Sequence, residues 1–109
     1  MSVVRIITKL KPRSKRLLER DLSGIIGRNL KKHGYLTFRI ENSIGQGFPD
    51  MIVISPAGRT TYIELKVGTP RLRPSQRKTL GQMVNNHAPV YVAWAKAGRV
   101  HMAPAHKLL

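Results

Sequence analysis

The chain has 109 residues, 41% of them hydrophobic, enough for one compact domain with one core and too few for a second. Twenty Lys and Arg against five Asp and Glu give a net charge of +15, far beyond the needs of solubility. The expected partner is therefore a polyanion, and a nucleic acid is favoured over a membrane because no run is long or amphipathic enough for a bilayer, although composition alone fits a ribosomal-type or other basic binding protein equally well. The absence of cysteine excludes a disulfide framework, a thiolate nucleophile and a sulfur-ligated zinc, so metal chemistry must use oxygen or imidazole.

In chain order, residues 3–7 read as a short strand, followed over 9–16 by a basic run containing Pro12. Residues 1–13 are expected to form a basic arm of a single domain spanning 1–109. Arg5, Lys9 and Lys11 interrupt the N-terminal apolar residues and no cleavage signature follows, which argues against a secretory signal and for an intracellular, cytoplasmic site of action. From a cap at Ser14 to His33, Leu18, Leu22, Ile25, Ile26 and Leu30 recur at helical spacing, with Gly34 as the stop. Arg16, Arg20, Arg28 and Lys31 occupy the opposite side, facing water or DNA.

Three β-like runs follow, at 36–40, 50–54 and 62–66. Pro56-Ala57-Gly58-Arg59 makes the last two an antiparallel hairpin. A second helix is predicted over 74–86, with Pro74 in its first turn and Pro89 barring continuation. Runs at 90–94 and 99–102 add one or two strands. The order is α-β-β-β-α-β, an α/β (α+β) arrangement with a central mixed sheet flanked by helices.

The informative residues are the few acids. Asp50 opens one hairpin strand and Glu64 lies inside the other, where an uncompensated charge is expensive. The hairpin sets them almost opposite each other, so a divalent cation between them removes their repulsion, and oxygen ligands favour Mg2+ with Mn2+ as substitute. Lys66, two residues beyond Glu64, shares its face, while Leu65 points to the core. A carboxylate pair with an ammonium is a phosphodiester-hydrolysing set: the metal activates water and neutralises a phosphate oxygen, and the Lys orients the nucleophile or stabilises developing charge. An ordinary hairpin ion pair uses the same residues. Glu19 falls on the apolar stripe of the first helix and is expected to point inward; interaction with the helix dipole is its simpler role. His33, His87, His101 and His106 are scattered and expected to be structural or exposed.

These residues resemble the PD-(D/E)XK nuclease superfamily: Pro49-Asp50 and, fourteen positions after the Asp, Glu64-Leu65-Lys66. The longer string Arg39, Gly47-Phe48-Pro49-Asp50, Tyr62-Ile63-Glu64-Leu65-Lys66, Leu72 and Gln76 resembles the VRR-NUC branch over residues 19–94. Stand-alone members of that branch are phage and bacterial proteins of this length. The resemblance implies a restriction-endonuclease-like core, with Glu19, Asp50, Glu64, Lys66 and Gln76 as active-site positions and the Leu65 carbonyl as a metal ligand beside Asp50, Glu64 and Glu19. That branch often caps the second helix with a small hydroxyl residue. Here Arg73 or Pro74 stands in its place, which moves the expected cap to Ser75 and leaves Gln76 able to serve only its helix.

Lys9, Lys11, Arg13, Lys15 and Arg16, with Arg71, Arg73, Arg77 and Lys78 beside the site, are expected to contact DNA phosphates. Two Phe, three Tyr and one Trp make a poor stacking platform for single strands, so duplex or branched DNA is expected. The leading expectation, implied by the resemblance to stand-alone VRR-NUC members, is a magnesium-dependent endonuclease, structure-selective in the manner of Holliday-junction resolvases and working as a homodimer. The alternatives are a sequence-specific or homing-type endonuclease of the same superfamily, and a non-catalytic basic DNA-binding protein.

Overall fold

The computed structural model describes residues 2–13, 16–40 and 47–109. The elements are α1 (Val3–Thr8), α2 (Glu19–Lys32), β1 (Leu36–Arg39), β2 (Met51–Ile54), β3 (Thr60–Val67), α3 (Pro74–Asn85), β4 (Val90–Lys96), β5 (Arg99–Pro104) and a closing 3-10 turn, Ala105–Lys107. The five strands form one sheet in the order β1-β2-β3-β4-β5. All neighbours are antiparallel except β3 and β4, which run parallel and are joined through α3. This is the mixed sheet the sequence predicts, because only a crossover helix of α3's length can return the chain to a parallel neighbour.

The strand expected at residues 3–7 is instead α1. β-branched content favours a strand, but the Ser2 hydroxyl accepts the Arg5 N–H at 3.3 Å and starts a helix. Ile6 and Ile7 then bury against the core, and burial outweighs propensity. The cap expected at Ser14 lies outside the described residues. Helix α2 itself begins at Glu19, where the Asp21 carboxylate accepts the Leu18 N–H at 3.0 Å.

Two apolar clusters lie on opposite faces of the sheet. Helices α1 and α2 press Ile7, Leu22, Ile26 and Leu30 onto Val53, Ile63, Leu65 and Ala93. On the other face, Leu72 and Leu80 pack on Val90 and Val92, with Tyr62 and Trp94 at the margin. Alternation along β3 therefore sends Ile63 and Leu65 toward α2, and Tyr62, Glu64 and Lys66 toward α3. Helix α3 covers the β4 side of that second face. The edge strand β1 leaves Leu36 58% and Phe38 49% exposed. Among the described residues no helix is long and apolar enough to cross a membrane.

Candidate active site

Three elements meet where β2 begins. The last ladder pair of β2 and β3 is Met51 with Ile63, so Asp50 stands just beyond the ladder, beside Glu64. Odd-numbered residues of β3 direct their backbone polar groups toward β2, whereas Tyr62 and Gly68 donate to the β4 side, to Pro89 and Ala95. At Leu65 the β2 side offers no strand. Its N–H donates instead to Asp50 Oδ2 at 2.8 Å, and its carbonyl points the same way, past the end of β2.

Glu64 is 2% exposed. Its Oε2 accepts Gln76 Nε2 at 2.8 Å and lies 3.6 Å from Lys66 Nζ. Its Oε1 is buried and has no hydrogen-bond partner, the one such side-chain atom among the described residues. Burial, first, and the Asp50 charge, second, push the Glu64 carboxyl from its ordinary 4.5 up to about 8; the Lys66 ammonium opposes them, a hydrogen bond to Asp50 made by the protonated form adds to the rise, and Glu19 adds a little. A hard cation shared with Asp50 satisfies Oε1 without that proton. The neighbouring donors are carboxylate and carbonyl oxygens, so this orphaned oxygen fits Mg2+ or Mn2+ and leaves a softer, imidazole-seeking ion without its preferred ligands.

Gln76 ties the site to α3. Its Oε1 accepts both the Arg73 N–H and Lys66 Nζ, each at 2.9 Å, while its Nε2 holds Glu64. The cap expected at Ser75 is replaced by Arg73, and Gln76, three residues later, reaches back to its N–H. Gln76 thus caps the helix and holds Glu64 and Lys66 with the same amide, so the helix-capping reading does not exclude contact with the site.

Glu19 differs from its expected inward placement. It is the first residue of α2 and exposed, because the packed stripe begins three residues later at Leu22. Among the described residues no three His, Asp or Glu side chains gather closely enough to form a metal cluster. The oxygens that could hold an ion here are those of Asp50, Glu64 and the Leu65 carbonyl, whereas Glu19 acts on Glu64 through its charge. Lys9, Lys11, Arg13, Arg16, Arg71, Arg73, Arg77 and Lys78 are all exposed; Lys15 lies outside the described residues. Arg77 also donates to the Leu108 carbonyl at 3.2 Å.

Gly47 emerges with a role that spacing alone did not assign. It has φ +83°, and a Cβ there would collide with the Ser75 carbonyl and come within 2.9 Å of Gln76 Cα. The strand-entry segment thus presses directly on the first turn of α3, and only glycine permits the approach. Its position in the string Gly47-Phe48-Pro49-Asp50 was the available signal.

A mixed sheet with helices on both faces, and an acidic pair, lysine and glutamine gathered at the end of its central hairpin, define the restriction-endonuclease-like class. The VRR-NUC domain model matches residues 14–97, and the chain belongs to that family of PD-(D/E)XK nucleases, which act on DNA. Among solved structures the chain is similar to a VRR_NUC domain with TM-score 0.61 and 23% identity, covering 68% of this chain and 81% of that one. It is also similar to the Holliday junction resolvase Hjc of the archaeal hyperthermophile Archaeoglobus fulgidus, with TM-score 0.58 and 20% identity, covering 77% of this chain and 73% of that one. Both likenesses concern the fold. No match was found among curated proteins.

Proposed function

We propose that this protein is a magnesium-dependent endodeoxyribonuclease that hydrolyses phosphodiester bonds in branched DNA, with Asp50, Glu64, Lys66 and Gln76 as its working residues. The observation that carries the reading is Glu64 Oε1, buried without a donor beside a second carboxylate. Such an atom is costly in a purely structural ion pair and useful in a cation site.

Asp50, Glu64 and the Leu65 carbonyl would hold Mg2+, or Mn2+ in its place. When bound, the ion supplies charge neutralisation at the phosphate and activates water. The chain's own residues divide the remaining work. Gln76 Nε2 fixes Glu64 through Oε2, which leaves Oε1 for the ion. Gln76 Oε1 holds the Lys66 ammonium, which orients the attacking water and stabilises the negative charge that develops on the phosphate. The water oxygen bonds to phosphorus as it releases a proton to solvent, one ester P–O bond breaks, and the departing alkoxide takes up a proton from solvent, so that one water is consumed. Glu19 contributes charge from the helix start.

Two features support a branched substrate cut by a homodimer. A likeness in fold links the chain to a Holliday junction resolvase. The β1 edge exposes Leu36 and Phe38, with Ile52 and Ile54 as their register partners on the same face. That apolar patch suits a second copy of this strongly basic chain better than it suits DNA, and a two-fold pair supplies two sites for two equivalent strands.

The test is incubation with a four-way junction, a linear duplex of the same sequence and supercoiled plasmid, in Mg2+ or chelator, for the wild type, Asp50→Ala and Lys66→Ala. The expected result is Mg2+-dependent junction cleavage, lost in both variants. Equal cutting of the linear duplex at one sequence would favour a sequence-specific enzyme. Tight binding without cleavage of any substrate would make the protein a non-catalytic DNA binder.

A further inference from the structure

We propose that the cavity at the C-terminal ends of β3 and β4 is a seat for a non-scissile phosphate of the DNA strand that lies in the active site. The inference rests on the nuclease reading above and adds a second point of contact to it. The cavity has a volume of about 480 Å3 and is lined by three cationic side chains, Arg13, Arg16 and Lys96, around Gly68, Ala97 and Gly98. Among the described residues that line it none is acidic, so cationic side chains dominate its field.

The chain builds this place from two directions. Lys96 ends β4, and its Nζ donates to Thr69 Oγ1 at 3.0 Å, which fixes the ammonium against the loop that leaves β3. Ala97 and Gly98, with φ 54° and 73°, make the tight two-residue turn into β5 and carry almost no side chain. A Cβ added at Gly68 or Gly98 would meet nothing within 4 Å, so open space lies over both backbones. An oxyanion can approach peptide groups and cations together in such a place. The volume exceeds a bare phosphate and admits its sugar or its hydration shell.

The position also fits. Gly68 lies two residues beyond Lys66, about 7 Å along an extended strand. Leu17, Val67 and Ala95 also line the cavity and set it on the α2 side of the strand ends, across from Lys66, so a strand reacting at Lys66 reaches it by passing over the C-terminal end of β3, within the span of its next few phosphates. Inorganic phosphate has the same chemistry, and the test separates the two sources.

The full-length protein is bound to a fluorescent four-way junction in chelator over a salt series. Lys96→Ala and Arg13→Ala are compared with Arg59→Ala, an exposed cation just before β3 at the opposite end of that strand. Each cavity variant is expected to lower the log–log salt slope by about 1, with Arg59→Ala unchanged. Replacing single phosphates by neutral methylphosphonates should weaken wild-type binding at one position within a few nucleotides of the cut, and Lys96→Ala should be indifferent there. In amide NMR spectra Gly68 and Gly98 should shift with junction DNA. Slopes and phosphonate profiles equal to wild type would overturn the proposal, as would Gly68 and Gly98 shifting with inorganic phosphate and not with DNA. Because binding is read without metal, a protein that uses this seat but never cuts would refute the nuclease reading alone.

Discussion

Glu64 is held at a cost to the metal-free protein. Its carboxyl stays protonated up to about pH 8 in the native state, whereas in the unfolded chain it ionises near 4.5. Between those values the native state binds the extra proton, so stability contributed by this group is full below pH 4.5 and is lost as pH rises through about 8. Glu64→Gln keeps the shape and the neighbour Gln76 while removing the titration. Thermal melts in chelator from pH 5 to 9 should show the wild type losing stability relative to Glu64→Gln, with the variant the more stable above pH 8. Parallel curves would mean that Glu64 ionises freely in the native state. Added Mg2+ should raise the wild-type melting temperature most at pH 9, where the proton no longer competes, and leave the variant nearly unmoved.

At the scale of elements, the site depends on α3 being pressed into place. Gly47→Ala introduces a Cβ into the Ser75 carbonyl and a side chain at a positive φ, which together should destabilise the fold by roughly 2–5 kcal/mol. The displacement falls on the first turn of α3, so Gln76 loses its hold on Glu64 and Lys66. Urea unfolding should register the loss, and Mg2+-dependent cleavage should fall further than the unfolded fraction explains. A variant as stable and active as wild type would show that the strand-entry segment does not set the helix position.

Much of this was legible in the sequence. The hairpin of β2 and β3 followed from alternation and from Pro56-Ala57-Gly58-Arg59, and its register placed Asp50 against Glu64. Helix α3 followed from Pro74 and its apolar face. Other features depended on tertiary contacts that periodicity does not encode. Val3, Val4, Ile6 and Ile7 satisfy a strand by composition and a helix by spacing, and docking on the core decided for the helix. Glu19 fell on the apolar stripe when the helix was extended back to Ser14; with the helix starting at Glu19, the same residue stands in solvent. The double duty of Gln76 could not be read from spacing, because it requires the Arg73 N–H and the β3 side chains to converge on one amide.

For the whole molecule, the β1 edge and the C-terminal end of the central strands differ in character. β1 presents Leu36 and Phe38, whereas the far end of the central strands presents cations. The proposed homodimer would use the first of these surfaces and the proposed phosphate seat the second. Phe38→Glu places a charge in the proposed contact, and sedimentation should show it as a monomer where the wild type sediments as a dimer. Junction cleavage should then yield single nicks in place of paired cuts. A dimer unaffected by Phe38→Glu would move the contact elsewhere.

The central claim is that the buried, unpartnered oxygen of Glu64 belongs to a cation site that cuts DNA, and the cleavage rate of Glu64→Gln on a labelled four-way junction at saturating Mg2+ tests it most directly. The variant keeps the volume and the fold, so loss of activity cannot be assigned to unfolding. The expected rate is lower by about a thousand-fold or more, the scale seen when a metal or charge-stabilising group is removed from such a site. Cleavage within a few-fold of wild type would contradict it.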